Sequence, residues 1–240
     1  MTWKGKFSLI VLLVLIATTS MYMFYPKSHE QVWTGDIINT IKLPQPQIKG
    51  NVSVEEAIQK RRSIRSYSST PLTLEDISQL MWVAQGITDS NRNYRTVPSG
   101  SHTFGLEIYI LIGDNTVNNL EKGLYHYNPF NHTLEQLTKE DLRLKLSEAS
   151  DSQQWVEKAQ VDIIITGNYQ KVMDKYYDEV TSARFINNEA GHAGQNIYLE
   201  STSRNLGTVA IGSFDDKKIH HILPIPSIEK TIYVYPVGHV

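Results

Sequence analysis

The residues of this chain best suited to chemistry are three arginines and a serine within five positions, Arg61-Arg62-Ser63-Ile64-Arg65. Each guanidinium offers five donors in a planar fork, which matches the oxygens of a phosphate group two at a time. Because three fixed positive charges this close repel one another, the run predicts a bound anion, and a phosphate-bearing ligand in particular. The alternative is that the arginines complement the carboxyl end of a helix and face solvent. The run alone leaves both interpretations open.

Several other kinds of site are excluded by the sequence. There is no cysteine, which removes disulfides, thiolate metal sites and cysteine nucleophiles together. His29-Glu30 lacks the second histidine of a helical zinc site, and neither a nucleophile elbow nor a phosphate-binding P-loop is present. The pairs His220-His221 and Asp215-Asp216 are predicted to be a solvated helix face and a helix cap. His192 is predicted to be structural, and no metal site is expected.

Two short helices and a loop are predicted to position the arginine run. A capping-box pattern at Ser53-Val54-Glu55-Glu56 begins a helix that ends at Lys60, directly before the arginines. Thr73 and Asp76 begin a second helix, which is amphipathic. Residues 86–100 are almost free of apolar side chains and are predicted to be a loop, a length that is usually functional inside a compact domain.

The rest of the chain alternates between apolar strands and helices without a strict βαβ rhythm. We therefore expect an α+β fold with helices around one sheet. The predicted elements are a strand at 105–113, a hairpin at 123–127 and 133–137, helical pieces within 141–159, a strand at 161–166, a long helix at 184–205, a strand at 208–212, a short helix capped by Ser213 and a closing strand at 231–237.

The N-terminus is predicted to be a targeting element rather than part of the fold. Lys4 and Lys6 precede an uncharged, mostly apolar run, so residues 1–25 are expected to be a signal anchor or a signal peptide. A poor cleavage site favours the anchor, with the domain outside the cytoplasm, or secreted if the segment is cleaved. Residues 26–50 carry three prolines and are predicted to be a linker to one domain, 51–240.

The charge balance argues against one class of partner. Lys plus Arg number 23 against 25 for Asp plus Glu, so the net charge is near zero. Nucleic-acid-binding domains are usually basic, and none is expected here.

The order of motifs over residues 50–238 resembles the FMN-dependent nitroreductase superfamily. The motifs are the arginine run, Pro98-Ser99-Gly100, the helical stretch from Asn188 to Asn196, and Ile211-Gly212-Ser213-Phe214-Asp215. The resemblance is closest to the azoline-dehydrogenase branch, whose members oxidise thiazolines and oxazolines in modified peptides. It implies a nitroreductase-like α+β fold with a mainly antiparallel central sheet surrounded by helices, a homodimer and bound FMN.

The resemblance also assigns roles to individual residues. Gln195 would face the partner subunit of the homodimer, and Lys175 and Tyr176 match a catalytic Lys-Tyr pair near substrate, although both are also consistent with a solvated helix face. The basic residue that many family members carry after the last strand is missing here, which leaves phosphate binding to the first cluster or to Arg204. The implied FMN contacts are Arg61, Arg62, Ser63 and Arg65 at the phosphate and ring edge, Pro98, Ser99 and Gly100 beside the isoalloxazine, Gln195 at the dimer interface where the FMN binds, and Ile211 and Gly212 at the reactive edge of the ring.

From the resemblance, the expected function is that of an FMN-dependent oxidoreductase that moves hydride to or from the flavin, on a peptide-derived or small-molecule substrate. One alternative is an NAD(P)H-dependent nitro or quinone reductase. Another is a flavin-binding module without turnover. The expected partners are a second copy of the chain, the substrate, and a membrane through the N-terminal segment.

Overall fold

Seven antiparallel strands form the central layer of the protein in the computed structural model, which describes residues 36–240. Their order is β1-β6-β5-β4-β7-β9-β8, which confirms the predicted mainly antiparallel sheet. A separate hairpin consists of β2 and β3. The strands are β1 Asn39–Lys42, β2 Ile87–Asp89, β3 Tyr94–Arg95, β4 Leu106–Ile112, β5 Gly123–Asn128, β6 Thr133–Gln136, β7 Val161–Asn168, β8 Leu206–Thr208 and β9 Glu229–His239.

The centre of the sheet is formed by its most apolar segments. Strands β4 and β7 pair along their whole length, with Ile108 opposite Ile165 and Ile110 opposite Ile163. Side chains alternate between the two faces of a strand, so these isoleucines share the face that carries the main hydrophobic core. Burial of this face is the main source of stability for the sheet.

Seven α-helices of residues 36–240 cover the sheet, and their caps explain where several of them begin. Thr73 and Asp76 make the reciprocal hydrogen bonds of a capping box at the start of α2. Asp178 caps α6, a helix of 25 residues that lies against α2 and carries much of the site described below. The helices are α1 Val54–Lys60, α2 Leu74–Gln85, α3 Arg143–Ala149, α4 Gln154–Lys158, α5 Tyr169–Tyr176, α6 Glu179–Ser203 and α7 Asp216–Ile222.

The assignment of all of residues 26–50 to a linker is wrong for residues 39–47. Strand β1 pairs with β6 at the edge of the sheet, and Leu43 is buried. The carbonyl of Pro44 accepts hydrogen bonds from Ser78 and His132, and Gln47 exchanges two with Gln79. The prolines in this stretch suggested a tether, but these hydrogen bonds hold it on the domain.

Local elements also differ from the prediction in four places. The loop 86–100 contains the β2–β3 hairpin. Helix α5 was not predicted, although Tyr169, Val172, Met173 and Tyr176 follow the i, i+3, i+4, i+7 spacing of an amphipathic helix. Helix α7 is capped by Asp215 rather than Ser213, since the Asp215 carboxylate accepts hydrogen bonds from the amides of Lys217 and Lys218 at 3.0 and 3.1 Å. Helix α6 begins five residues earlier than predicted, at its Asp178 cap.

The predicted anchor or signal peptide at residues 1–25 lies outside the described residues. Within residues 36–240, no helix combines the length and the apolar character that crossing a membrane requires.

Candidate functional site

The arginine run lies where α1 ends, and none of its guanidiniums forms an ion pair within the described chain. Arg61 is the C-cap of α1, and its guanidinium lies 4.8 Å from the centre of the Tyr198 ring. Arg65 lies 5.4 Å from the Trp155 ring. Arg62 folds back and donates to the carbonyl oxygens of Gln59 and Arg61, as the alternative of a helix-end complement predicts. Arg61 and Arg65 therefore keep free hydrogen-bond donors, whereas one guanidinium nitrogen of Arg62 is already bonded to backbone carbonyls at the helix end.

Tyr198 of α6 joins the arginine run to the turn after β8. Its hydroxyl lies 3.0 Å from Ser63 Oγ and accepts a hydrogen bond from the backbone N–H of Ala210 at 2.8 Å. The N–H of Ile64 also donates to the carbonyl of Thr208, at 2.9 Å. Two predicted segments that are far apart in sequence, 61–65 and 211–212, are therefore held together by one tyrosine.

The turn after β8 offers further hydrogen-bonding groups. Ile211 exchanges both of its backbone hydrogen bonds with Val234 of β9, at 2.9 and 3.0 Å. The next amide, that of exposed Gly212, has no acceptor among residues 36–240. Nearby, the buried Thr208 Oγ1 also lacks a partner there. Of the two predicted backbone donors, only Gly212 is therefore available to a ligand.

The Pro98-Ser99-Gly100 segment opens a loop with unusual backbone conformations. Ser101, His102 and Phe104 all have positive φ, at 50°, 56° and 47°. Non-glycine residues in this region cost of order 1–3 kcal/mol each and persist where the surroundings hold them. The loop that the prediction placed at a ligand is therefore strained, which is common at binding sites.

Glu189 of α6 holds this strained loop. Its carboxylate, which is almost fully buried, accepts a hydrogen bond from Gln85 Nε2 at 3.3 Å. Ser99 and the backbone of Gly105, at the two ends of the loop, also act to lower its pKa. Ser99 Oγ in turn accepts from the Phe104 N–H at 2.8 Å. Burial raises the pKa of Glu189, although these donors oppose the rise. One buried carboxyl group thus closes the loop, and sequence periodicity alone did not single it out.

Of the predicted Lys-Tyr pair, only the tyrosine reaches the loop. The Tyr176 hydroxyl donates to Ser101 Oγ at 2.7 Å, and its ring lies 4.8 Å from that of Phe185. A Cβ added to Gly100 would lie 3.2 Å from the Tyr176 hydroxyl, so a side chain there would press on it. Lys175 is exposed and makes no hydrogen bond to the described residues. Their catalytic roles stay predictions.

Helix α6 presents an exposed stripe between these two groups of residues. The stripe includes Asn188, Gly191 and Gln195, and a Cβ at Gly191 would meet no described atom within 4 Å. With about 100° of rotation per residue, Glu189 points about 120° to one side of Gln195 and Tyr198 about 60° to the other. The strained loop and the arginine run therefore flank the stripe on opposite sides.

A buried acid–base cluster lies on the face of the sheet opposite the core. His126 lies 3.1 Å from Glu107 and 3.2 Å from Glu135. Burial alone would lower the pKa of His126, but the two carboxylates raise it to about 9. Burial, together with repulsion from Glu107, raises the pKa of Glu229 to about 7. Glu229 accepts from Tyr109 at 3.0 Å and from Thr166 at 2.5 Å.

Arg204 is not available to a phosphate group. Its guanidinium bonds Asp76 at 2.7 Å and Glu200 at 2.9 Å, and it is mostly buried. The alternative that Arg204 binds the phosphate does not fit this geometry, because two carboxylates already accept the hydrogen bonds of its guanidinium. It fastens the end of α6 to the start of α2 instead.

Comparison with known proteins identifies relatives over most of the chain. The profile of the Nitroreductase family matches residues 58–239. A protein of Methanocaldococcus jannaschii that bears the name nitroreductase is 37% identical over 200 residues, which cover 83% of this chain and 97% of that protein. The trifolitoxin-processing protein TfxB of Rhizobium leguminosarum bv. trifolii is 28% identical over 177 residues, which cover 69% of this chain but only 47% of TfxB.

Solved structures share the fold. A nitroreductase from Ralstonia eutropha JMP134 has a TM-score of 0.73 at 26% identity, over 87% of this chain and 92% of that one. The Escherichia coli microcin synthetase McbBCD complex with truncated pro-MccB17 bound has a TM-score of 0.64 at 19% identity, over 82% and 76%. The NADPH:FMN oxidoreductase of Vibrio harveyi, complexed with NAD+, has a TM-score of 0.55 at 20% identity, over 78% and 68%. The last two identities are low enough that they show the fold alone.

Proposed function

The chain belongs to the nitroreductase family, and on that premise we propose that it is an FMN-dependent oxidoreductase. One observation carries the proposal: the arginine run, free of carboxylate partners within residues 36–240, is tied through Tyr198 to the turn that ends in the Gly212 amide. Guanidinium groups and a free backbone N–H close together suit a ligand that combines a phosphate group with a hydrogen-bonding ring.

Several residues of the chain fit such a ligand. Arg61, Arg65 and the Ser63 hydroxyl would hold the phosphate, with Arg62 in a lesser part. The Gly212 amide would donate to the ring, and the segment from Pro98 to Gly100 would lie along it. FMN, when bound, supplies the hydride acceptor and donor, so the protein's part is to bind, orient and control charge near the ring.

The layout of α6 supports a homodimer as the complete unit. Nitroreductase family members are often homodimers, and the exposed stripe around Gly191 has room for a close neighbour. Because the arginine run and the strained loop flank this stripe on opposite sides, a two-fold contact along it would bring the run of one protomer toward the loop of the other. On this arrangement each flavin would be held by both protomers.

The proposed substrate is a modified peptide or a related small molecule that is oxidised in the manner of the azoline dehydrogenases. TfxB is by its name a trifolitoxin-processing protein, and the McbBCD complex was solved with a truncated pro-microcin bound. At the reacting end, Tyr176 would orient the substrate from its fixed position on Ser101, and exposed Lys175 would take a proton.

A second candidate is an NAD(P)H-dependent nitro or quinone reductase. The observation that favours it is the name of the 37% identical relative from M. jannaschii. Both activities require the same FMN-binding residues, so the two candidates differ only in the substrate that exchanges hydride with the flavin.

The test begins with the colour of the purified full chain. Bound FMN should give a yellow protein with an oxidised-flavin spectrum, and the released cofactor should have the mass of FMN. A colourless protein that takes up no added FMN would refute both proposed enzymatic functions, the dehydrogenase and the reductase. If NADH or NADPH bleaches the yellow protein quickly, the reductase is favoured; bleaching by a thiazoline-containing peptide alone favours the dehydrogenase. A yellow protein that neither treatment bleaches would be a binding module.

A further inference from the structure

Arg95, the last residue of β3, is held between two aromatic rings beside the strained loop. Its guanidinium carbon lies 4.5 Å from the centre of the Phe104 ring and 5.4 Å from that of Phe130. Phe104 belongs to the loop, and Phe130 belongs to the turn between β5 and β6. Rings on two independent segments therefore fix the plane of this guanidinium.

The guanidinium of Arg95 has no hydrogen-bond partner among residues 36–240. Its Nε is buried and unpaired, and its two terminal nitrogens, equally unpaired, retain some solvent-accessible surface. Burial lowers the pKa of Arg95 from its ordinary value, but a guanidinium stays charged at neutral pH. Leaving a partly buried charge without a partner is costly, so an acceptor is expected.

The neighbouring carboxylates do not serve as that acceptor. Glu107 lies 3.1 Å from His126, and Glu189 accepts a hydrogen bond from Gln85 at 3.3 Å. Neither approaches Arg95 within the 4.0 Å of an ion pair. A second cation, Lys171, lies close by, where its Nζ donates to the Phe104 carbonyl at 2.9 Å. Glu107 and Glu189 favour the charged form of Arg95 through space, but the described chain gives its guanidinium no hydrogen-bonded anion.

We propose that Arg95 binds a carboxylate group of the substrate. Two equivalent oxygens in one plane match the two outward-facing nitrogens of a guanidinium. The surroundings suit an acid with an aromatic or apolar body: the Tyr94 and Phe130 side chains are 41% and 42% exposed, and the His102 ring lies 5.2 Å from that of Tyr94. As a substrate site this inference rests on the proposed function, which places the same loop beside FMN.

The experiment is calorimetric titration of the purified full chain with benzoate and, as the uncharged counterpart, with benzyl alcohol. Wild type should bind benzoate at least 10-fold more tightly than benzyl alcohol. Arg95→Gln should weaken benzoate binding about 10- to 100-fold, the equivalent of one lost charged hydrogen-bonding pair, and leave benzyl alcohol unchanged. Arg95→Lys, which keeps the charge but not the fork, should restore part of the loss.

Lys139→Gln is the control for loss of one positive charge. Lys139 is a cation of a different segment, its side chain is 60% exposed, and it lies 3.5 Å from Glu121. It should bind benzoate as wild type does. Equal benzoate affinity in wild type and Arg95→Gln would overturn the proposal, as would equal affinities of wild type for benzoate and benzyl alcohol. If Arg95→Gln does not fold, Arg95→Lys and the comparison of the two ligands on wild type decide.

Failure of this inference and failure of the proposed function give different results. The titration does not require flavin, so a colourless protein that binds benzoate through Arg95 would refute the oxidoreductase and keep the site. A yellow protein without any preference for benzoate would keep the oxidoreductase and refute the site. With active yellow protein, 4-nitrobenzoate should exceed nitrobenzene in kcat/KM, and Arg95→Gln should abolish that preference.

Discussion

Replacement of Arg61 and Arg65 by alanine tests the flavin grip most directly. A hydrogen bond to a charged group contributes about 1.5–3 kcal/mol. Arg61 is half-buried against Tyr198, so we expect Arg61→Ala to weaken FMN binding about 10- to 100-fold. Arg65 is exposed, and solvent screening places its share at the low end, about 10-fold. If the two effects add, the double variant should lose about 100- to 1,000-fold.

The assay is titration of FMN with each flavin-free variant, followed by the quenching of flavin fluorescence. The control is Lys60→Ala, since Lys60 is the neighbouring cation but is paired with Glu56 at 2.6 Å and 63% exposed. The difference between the double variant and wild type should shrink in high salt. Full FMN occupancy in the double variant would refute the reasoning. An equal loss in Lys60→Ala would assign the effect to overall charge rather than to contact.

Three further predictions follow from single contacts. Tyr198→Phe removes the hydroxyl that joins Ser63 to Ala210. It should weaken FMN binding about tenfold and lower the free energy of unfolding by about 1–2 kcal/mol in urea titrations. Unchanged FMN affinity and unchanged stability would contradict the bridging role of this hydroxyl. Gly191→Ala should stabilise α6 by up to about 1 kcal/mol. Gly191→Trp should fill the space beside the exposed stripe and yield monomers in size-exclusion chromatography. An intact dimer of Gly191→Trp would exclude the stripe as the dimer contact. The pKa of Glu229 is about 7 in the folded state and 4.5 ordinarily, so between these values the folded state binds a proton that the unfolded state has lost. The free energy of unfolding should therefore fall by about 3 kcal/mol as the pH rises from about 5 to above 7, and Glu229→Gln should flatten that profile. A rise in wild-type stability over the same pH range would refute this prediction.

Local chemistry explains which parts of the fold could be predicted. The isoleucine-rich pattern of β4 and the Asn-Pro-Phe-Asn turn between β5 and β6 are signals contained within a few residues, and both elements were predicted correctly. Helix α5 was missed although it carries a local signal, since Tyr169, Val172, Met173 and Tyr176 follow the apolar spacing of an amphipathic helix. The β2–β3 hairpin is short and polar, and its strands are identified only by their pairing.

The site was predictable where its residues are consecutive and hidden where they are distant. The arginine run and Pro98-Ser99-Gly100 are local motifs. Tyr198 meets Ser63 across 135 positions, and Gln85 meets Glu189 across 104, so neither tyrosine nor glutamate stands out within its own helix. A tyrosine and a glutamate that are buried in an amphipathic helix are the available signal, because both polar groups need a partner there.

Arg204 was hard to assign for the same reason, because one of its partners is also distant in the sequence. Its place near the end of a long helix was compatible with a free cation. Only the folded chain reveals that Asp76, which is 128 positions away, already accepts its hydrogen bond.

Strand β1 has a practical consequence for handling the protein. It is the outermost strand of the sheet on the side of β6, and it covers the hydrogen-bonding groups of β6 with only four residues, one of them Lys42. A fragment that begins after residue 45 would keep the family-matched region, residues 58–239, yet would leave β6 as a bare edge open to strands of other molecules. Such a fragment should aggregate, whereas one that begins at residue 36 should stay dispersed. The boundary of a usable domain is thus decided by backbone pairing rather than by where sequence similarity starts.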